Sequence, residues 1–163
     1  MDAPGGRQSF QDKTGALFEL GPCRPGEDKC LQDMYEVFTP KKVGQGLPPE
    51  DSAVCRTWVE SLLGRAENFL VWDGDQVVGH SAFIPDHDRR DAEYIIFVLD
   101  PFRSRGLGSR LTAAAVEKAR RLGLTRLWLT VEAHNFRAIR LYRKYGFVFR
   151  DQGGWERIMM LEL

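Results

Sequence analysis

Apolar residues change their spacing along the chain, and each change predicts a helix or a strand. Apolar positions recur at helical spacing in residues 27–38 and again in residues 50–63. Between residues 68 and 99 they form short runs separated by turn sequences, which is typical of strands. An Asp-Gly-Asp sequence at residues 73–75 is a strong hairpin signal, and residues 85–91 form a second turn. This middle part is therefore predicted to be an antiparallel meander.

The full order of the elements predicts the fold class. Strands are predicted at residues 14–21, 68–72, 76–84, 92–99, 125–131, 147–150 and 155–161. Helices are predicted at residues 27–38, 50–63, 106–122 and 135–145. The unit formed by strand 92–99, the long helix and strand 125–131 implies one parallel pair joined by a right-handed crossover. The chain is therefore predicted to have an α+β fold around a mixed, mostly antiparallel sheet with one βαβ unit.

Length and charge limit the classes of partner. The chain has 163 residues, of which 43% are hydrophobic and 28% are charged, and this favours one domain with its own core. Residues 1–13 are predicted to be a flexible tail, and residues 14–163 the single domain. Basic and acidic residues both number 23, so the formal net charge is zero. Bulk binding to nucleic acid or to an anionic membrane needs a positive surplus, so neither partner is expected.

Targeting signals and cysteines point to one compartment. No apolar run reaches the roughly 18 residues of a membrane-spanning helix, and the N-terminus lacks the apolar segment of a secretory signal. The three cysteines, Cys23, Cys30 and Cys55, have no metal-ligand spacing. Free thiols favour a reducing compartment, so a cytoplasmic protein without a bound metal is expected.

The segment after the fourth predicted strand has the strongest chemical signal. It holds Gly106 and Gly108 interleaved with Arg103, Arg105 and Arg110, and it runs directly into the long helix. The first turn of a helix has backbone N–H groups without intrahelical partners, and the helix dipole adds positive charge there. Glycines let an anion approach that backbone closely. These features predict a pyrophosphate site, although a plain helix start with solvated arginines would show a similar pattern.

Two nucleotide-binding motifs are alternatives to consider at this segment. A dinucleotide-binding loop needs a third glycine, but Leu111 occupies that position. Glu132 follows the next strand as the acidic residue of that motif would, yet the chain offers only one βαβ unit. The lysine of a P-loop is missing as well. The sequence therefore disfavours both.

Two segments follow each other in the chain, joined by one helix and one strand. The first has Arg103, Gly106 and Gly108 in the spacing R-x-x-G-x-G, and the second is NFRAIRLYRKYGF at residues 135–147. In this order they resemble the GCN5-related N-acetyltransferase superfamily, whose pyrophosphate loop is Q/R-x-x-G-x-G/A and whose later segment is N-x-x-A-x-x-L-Y-x-x-x-G-F. The resemblance covers residues 14–163 in element order and residues 92–149 in motif.

This resemblance implies a geometry for the fold and the cofactor site. The two parallel strands are expected to splay into a V, with pantetheine bonding to the backbone of Phe97, Val98 and Leu99. Asn135 and Tyr142 are expected beside the thioester. The pyrophosphate is expected on the segment that consists of Arg103, Ser104, Arg105, Gly106, Leu107, Gly108 and Ser109. Acetyl-CoA is thus the implied cosubstrate.

Acetyl transfer to an amine sets further requirements. A backbone N–H of Val98 or Leu99 is expected to stabilise the oxyanion. Tyr142 resembles the family's general acid for the leaving thiolate, although a buried tyrosine also commonly serves packing. An alkylammonium has a pKa near 10, so a base must take its proton at neutral pH.

The identity of that base stays open at the level of sequence. Glu93, early on the central strand, is the first candidate; a solvated strand end is its structural alternative. Glu132, His134 and a water relay are the other candidates. His80 interrupts an apolar strand, where a histidine is more typical of a satisfied core residue. Some relatives carry a glutamate at the position that Thr130 occupies here. This chain lacks that glutamate, which weakens any analogy with enzymes that acetylate ribosomal proteins.

The acceptor is expected to lie over the loop at residues 39–47. There Lys41, Lys42 and Gln45 are candidate contacts, or simply solvated side chains. The predicted function is direct transfer of an acetyl group from acetyl-CoA to a primary amine of a small molecule or protein, by a monomer or homodimer. A catalytically silent acyl-CoA-binding module is the main alternative, and a nucleotide-binding oxidoreductase is a third.

Overall fold

A computed structural model describes residues 5–41 and 47–163, and within them eight strands and four α-helices are formed. The strands are β1 Gln8–Gln11, β2 Leu17–Pro22, β3 Glu67–Asp73, β4 Gln76–Asp86, β5 Asp91–Val98, β6 Arg126–Glu132, β7 Val148–Phe149 and β8 Glu156–Glu162. The helices are α1 Asp28–Val37, α2 Ser52–Arg65, α3 Leu107–Arg121 and α4 Phe136–Lys144. A single 3₁₀ turn, Asp100–Phe102, joins β5 to the segment that precedes α3.

All eight strands form one sheet, in the order β1-β2-β3-β4-β5-β6-β8-β7. Every neighbouring pair is antiparallel except β5 and β6, which are parallel and joined through α3. The predicted α+β fold with a mixed, mostly antiparallel sheet and one βαβ unit is confirmed. Among the described residues, no helix combines the length and the apolar character needed to cross a bilayer.

The sheet is split between its two parallel strands. Only three pairs of residues are in register between β5 and β6, and the last of them is Glu93 with Trp128. Beyond this pair the two strands part, while each stays paired on its other side with β4 or β8. The predicted V-shaped splay is confirmed, and it leaves backbone groups along the inner edge of β5 without a strand partner.

Alternation along β5 places successive side chains on opposite faces of the sheet. Phe97 packs against the rings of Tyr35 on α1 and Trp58 on α2, each centred 6.0 Å away. Tyr94 lies on the other face, where its hydroxyl and that of Thr112 on α3 are 2.9 Å apart. Helices α1 and α2 therefore cover one face of β5, and α3 covers the other.

His80 is a fully buried core residue, as its place in an apolar strand predicts. The amide nitrogen of Asn68 donates to the carbonyl groups of Leu62 and Ala66, so its oxygen is left to accept from Nε2 of His80 at 2.8 Å. Nδ1 of His80 then accepts from the hydroxyl of Tyr35 at 2.6 Å. Burial lowers the pKa of His80 to about 3, so the imidazole is neutral.

The prediction of a flexible tail over residues 1–13 is wrong for Gln8–Gln11, which form the edge strand β1. This strand pairs with β2, for example Phe10 with Phe18. Arg7 precedes it and is held by Glu27 at 2.6 Å and by the ring of Trp72 at 3.8 Å. Edge strands are bound mainly by main-chain hydrogen bonds, which impose no apolar pattern on the sequence.

Candidate active site

A cavity of about 710 Å³ opens where β5 and β6 part. Its walls come from four parts of the chain: the end of β5, the end of β6, the segment that leads into α3, and one face of α4. The residues that these parts contribute include Ile96, Phe97, Val98, Thr130, Val131, Glu132, Ser104, Gly106, Leu107, Gly108, Ser109, Asn135, Ala138, Leu141 and Tyr142. The two sequence motifs therefore meet at one cavity.

One end of the cavity is the first turn of α3. Gly106 precedes the helix in the left-handed region with φ of 94°, and no side chain caps the turn. The first intrahelical bond runs from Arg110 N to Gly106 O, so the N–H groups of Leu107, Gly108 and Ser109 have no intrahelical partner. Ser104 also has a positive φ of 60°, and alternating backbone of this kind turns N–H groups inward. This turn fits a phosphate group.

Close packing explains why position 108 is a glycine. A Cβ atom there would lie 3.1 Å from Cδ2 of Leu141 and 3.7 Å from Cδ1 of Ile96. Helix α4 and strand β5 therefore approach the first turn of α3 as closely as its backbone allows. A larger side chain at position 108 would push these walls apart or enter the cavity.

The side chain of Arg103 is engaged within the protein rather than free to bind phosphate. Its Nε donates to Val98 O at 2.9 Å, and its Nη1 lies 3.0 Å from the carboxylate of Asp100. Its Nη2 donates to Thr39 O at 2.8 Å. Arg103 thus ties the end of β5 to the segment after α1, and the expectation of a free charge beside the anion is wrong for it.

Arg105 and Arg110 also turn away from the cavity, contrary to expectation. Nε of Arg105 lies 2.5 Å from the carboxylate of Asp12, and the guanidinium of Arg110 lies 5.2 Å from the ring centre of Phe10. Both contacts are with the β1–β2 hairpin, whose presence the sequence does not reveal. Among the described residues, the cations that line the cavity besides Arg103 are Lys13 and Arg137, and neither was predicted.

The alternation of backbone hydrogen bonds along β5 changes which residues can contact the pantetheine arm. Leu99 N donates to Val78 O at 2.9 Å, so the Leu99 N–H is already occupied by β4. In a regular antiparallel ladder the bonding direction alternates, so Phe97 also bonds to β4, while Ile96 and Val98 face the open edge. The contact of Arg103 with Val98 O agrees with this alternation. The candidate oxyanion donors are therefore the N–H groups of Ile96 and Val98, not that of Leu99.

Tyr142 lies on α4 and lines this cavity, and its place beside a thioester stays a prediction. Its ring packs against Phe147 at 5.7 Å and edge-on against Tyr94 at 6.5 Å. No hydrogen bond of its hydroxyl is found within the described part of the chain. Burial raises the pKa of Tyr142 well above that of a free phenol, so the hydroxyl stays protonated at neutral pH.

Asn135 lies at the cavity and also caps α4. Its side-chain oxygen accepts from the backbone N–H of Ala138 at 3.2 Å, which agrees with the predicted cap position. The side chain therefore orients the helix that carries Tyr142. The amide nitrogen of Asn135 is the group left for a ligand.

Glu93 does not lie with the other candidate catalytic groups. It belongs to the last pair that joins β5 to β6, and it is not among the residues that line the cavity. By alternation it shares the face of Phe97, which α1 and α2 cover. Burial raises the pKa of Glu93, and the nearby Arg65 opposes this rise.

Glu132 and His134 form the titratable pair that does line the cavity. Oε2 of Glu132 lies 3.1 Å from Nε2 of His134, just beyond the open end of β6. Glu156 lies opposite Glu132 on β8 and lines the cavity too. Within the described ranges, no group of three or more His, Cys, Asp and Glu side chains is placed to hold a metal ion.

Of the three predicted acceptor contacts, only Lys41 lies among the described residues. Lys42 and Gln45 lie outside the described residues. Lys41 is described, but it does not line the cavity. Phe38, Pro40 and Leu47, from either side of the undescribed segment, do line it.

Comparison with known protein families identifies the family to which a chain with this cavity belongs. The model of the acetyltransferase (GNAT) family matches residues 31–147. The chain belongs to the GNAT acetyltransferase family. The match includes both motifs and every wall of the cavity except Lys13 and the β8 residue Glu156.

Two of the curated relatives are longer than this chain. It is 33% identical over 128 residues to mycothiol acetyltransferase of Corynebacterium glutamicum, which covers 77% of this chain and 42% of that protein. It is 29% identical over 148 residues to the spore coat polysaccharide biosynthesis protein SpsD of Bacillus subtilis, with 85% and 50% covered. The chain thus spans half or less of the length of these two relatives.

Solved GNAT structures share the fold. The GNAT domain of S. lividans PAT superimposes with a TM-score of 0.77 at 14% identity, covering 96% of this chain and 97% of that chain. The Salmonella typhimurium protein yncA, solved with its cofactor acetyl-CoA, has a TM-score of 0.69 at 21% identity, with 90% and 94% covered.

Proposed function

We propose that this GNAT protein transfers an acetyl group from acetyl-CoA directly to a primary amine. The observation that carries the proposal is the meeting of three features in one cavity. These are an uncapped first turn of α3, an open backbone edge on β5, and the protonated hydroxyl of Tyr142. The same fold in yncA, whose cofactor is acetyl-CoA, supports the choice of donor.

The residues present fit the two polar parts of coenzyme A. The N–H groups of Leu107, Gly108 and Ser109 would hold the phosphates, because they lack partners and lie at the positive end of the helix dipole. On the open edge of β5, the C=O of Ile96 and whichever N–H of Ile96 and Val98 does not serve the oxyanion would bond to the amides of pantetheine, as a further strand would. The C=O of Val98 already accepts from Arg103.

The transfer step forms a bond from the amine nitrogen to the acetyl carbon and breaks the bond from that carbon to sulfur. A backbone N–H of β5, from Ile96 or Val98, would stabilise the negative charge on the carbonyl oxygen. Tyr142 would give its proton to the leaving thiolate and recover it from solvent. Since a buried phenol is a weak acid, its contribution is modest compared with the positioning of the reactants.

The Glu132–His134 pair is the proposed acceptor of the amine proton. Both groups line the cavity, whereas Glu93 lies in the paired part of the sheet. Oε2 of Glu132, 3.1 Å from Nε2 of His134, would orient the imidazole. The acidic groups at this end of the cavity also suit an acceptor that arrives as a cation.

Measurement of coenzyme A thiol release against a panel of amines tests the proposal. We expect the wild-type protein to release thiol with at least one amine. Tyr142→Phe should lower kcat by about 100-fold, because proton transfer of this kind contributes 10²- to 10⁴-fold. Its affinity for acetyl-CoA should change less than about twofold, since the ring packing is kept. A wild-type protein that binds acetyl-CoA but acetylates no amine would instead be the silent binding module.

Comparison of two glutamate variants tests the assignment of the base. Glu132→Gln should lower kcat/KM, because it removes a carboxylate from the proposed acceptor of the proton. Glu93→Gln is the matched control and should keep the kcat/KM of the wild-type protein. A loss of kcat/KM in Glu93→Gln alone would return the role of base to Glu93.

A further inference from the structure

The turn between β1 and β2 is fastened to the segment that leads into α3. Oδ1 of Asp12 accepts from the backbone N–H groups of Thr14 at 2.8 Å and Ala16 at 2.9 Å, which shapes the turn. Oδ2 of Asp12 lies 2.5 Å from Nε of Arg105. The next residue, Lys13, donates its backbone N–H to Arg105 O at 3.2 Å. Both side chain and backbone therefore hold the turn in place.

The ion pair between Asp12 and Arg105 persists at physiological pH. The loss of water around the Asp12 side chain would by itself raise its pKa. Hydrogen bonds from Thr14, Arg105 and Ala16 outweigh this effect and lower the pKa of Asp12 to about 2. The turn is thus docked whenever the protein is folded near neutral pH.

Docking of the turn brings the side chain of Lys13 to the phosphate end of the cavity. A Cβ atom built on Gly106 would lie 3.7 Å from Cε of Lys13, so the lysine lies against the residue that opens α3. Lys13 lines the cavity together with Ser104, Gly106 and Gly108. Its ammonium has no ion-pair partner in the part of the chain that the structure describes.

We propose that Lys13 is a phosphate-binding residue of the coenzyme A site. The inference rests on the proposed function, and it assigns a role to a segment outside the family match, which begins at residue 31. Arg105 and Arg110 are turned away from the cavity, so neither supplies a cation to the phosphate end, whereas Lys13 of the hairpin lines it. Lys144 also reaches the first turn of α3, but its Nζ is engaged by Oγ of Ser109 at 3.1 Å. A lysine ammonium binds phosphate as a point charge and needs no fixed orientation.

Coenzyme A offers two phosphate groups to such a residue, the diphosphate and the 3′-phosphate. Titration calorimetry with acetyl-CoA and with 3′-dephospho-CoA separates them. We expect Lys13→Ala to weaken acetyl-CoA binding about five- to tenfold, as loss of one charge-assisted bond to a partly exposed group predicts. An equal loss with 3′-dephospho-CoA assigns Lys13 to the diphosphate, whereas a loss with acetyl-CoA alone assigns it to the 3′-phosphate.

Two further variants and one truncated substrate control this experiment. Lys29→Ala, an exposed lysine of α1 paired with Asp33, should leave binding unchanged, and Lys13→Arg should restore most of it. The kcat/KM for acetyl-pantetheine, which lacks both phosphates, should be the same in Lys13→Ala as in the wild-type protein. Unchanged acetyl-CoA binding, or an equal loss with acetyl-pantetheine, would overturn the inference. A wild-type protein that fails to bind acetyl-CoA would refute the proposed function itself.

Discussion

At the scale of single residues, similar side chains have different tasks according to what surrounds them. Arg103, Arg105 and Arg110 all precede or begin α3, yet one binds backbone carbonyl groups, one binds Asp12 and one lies over an aromatic ring. A positive charge that lines the cavity beside the start of the helix comes instead from Lys13, which is distant in sequence. The residue types indicated an anion site, but the direction in which each arginine side chain points depends on its neighbours in the folded protein.

His80 gives a prediction at this scale, because it is buried in its neutral form. The unfolded chain protonates this histidine below its ordinary pKa of about 6.5, whereas the folded protein resists protonation down to about pH 3. The free energy of unfolding should therefore fall as the pH drops below 6.5. Between pH 7 and pH 5 the loss from this residue should be about 2 kcal/mol.

His80→Gln provides the comparison, since glutamine keeps polar atoms beside Tyr35 and Asn68 but does not titrate. Urea unfolding of both proteins at pH 7 and pH 5 measures the effect. The wild-type protein should lose about 2 kcal/mol more than the variant over this interval. Identical pH dependence in the two proteins would contradict a neutral buried histidine.

Several residues singled out from the sequence line the cavity, and others that line it were missed for a physical reason. Gly106 and Gly108 were singled out because backbone freedom is a property of local sequence, and Tyr142 because residues 135–147 resemble the family's later segment. Sequence alone could not choose between Phe97 and Ile96 as a backbone contact of pantetheine, because that choice depends on which residue of β5 bonds to β4. Strand pairing decides which residues of β5 hydrogen-bond to β4, and the residue types do not reveal it.

At the scale of elements, Arg103 connects three of them. It bonds to the end of β5, to the 3₁₀ turn through Asp100, and to Thr39 just after α1. The open edge of β5 therefore depends on a planar guanidinium whose nitrogens reach several partners at once. This arrangement also links the cofactor edge to the segment where the acceptor is expected.

Arg103→Lys should disturb this connection while it keeps the charge. We expect acetyl-CoA affinity to fall about fivefold and the melting temperature to fall by about 3–6 °C, because lysine cannot replace several directed hydrogen bonds. Calorimetry and thermal denaturation measure the two effects. Arg121→Lys, on the exposed face of α3 beside Glu117, is the control and should change neither quantity. If Arg103→Lys behaved like this control, Arg103 would act only as a charge.

The elements themselves were largely predictable, with one exception. Helices α1, α2, α3 and α4 begin and end within about two residues of the predicted bounds, because their apolar spacing reports the buried face. Strand β1 was missed, since Gln8–Gln11 contains a single apolar residue and is bound through its main chain. Its partner β2 begins at Leu17 rather than at residue 14, because Asp12 organises a turn before it.

At the scale of the whole molecule, the cavity separates two parts of one sheet. Strands β1–β5 lie on one side and β6, β8 and β7 on the other, with direct pairing over only three residue pairs. A ligand that bonds to both sides should therefore stabilise the folded protein. At 100 times its dissociation constant, acetyl-CoA should add about 2.7 kcal/mol, or about 5–10 °C in melting temperature.

Thermal denaturation with and without acetyl-CoA measures this effect. Gly108→Asp should abolish the shift, because its carboxylate would repel phosphate and its Cβ would crowd Leu141. The variant's melting temperature without ligand reports any direct cost of the substitution. A full ligand-induced shift in Gly108→Asp would mean that acetyl-CoA binds elsewhere.

The uncapped turn at the start of α3 has a consequence for how such a site is found by mutagenesis. The groups that would bind phosphate there are peptide N–H groups, which every amino acid except proline possesses. Truncating the side chains of Leu107 or Ser109 removes none of them, so a scan that only deletes atoms would pass over the site. Substitutions that add bulk, charge or a proline ring are the informative ones here.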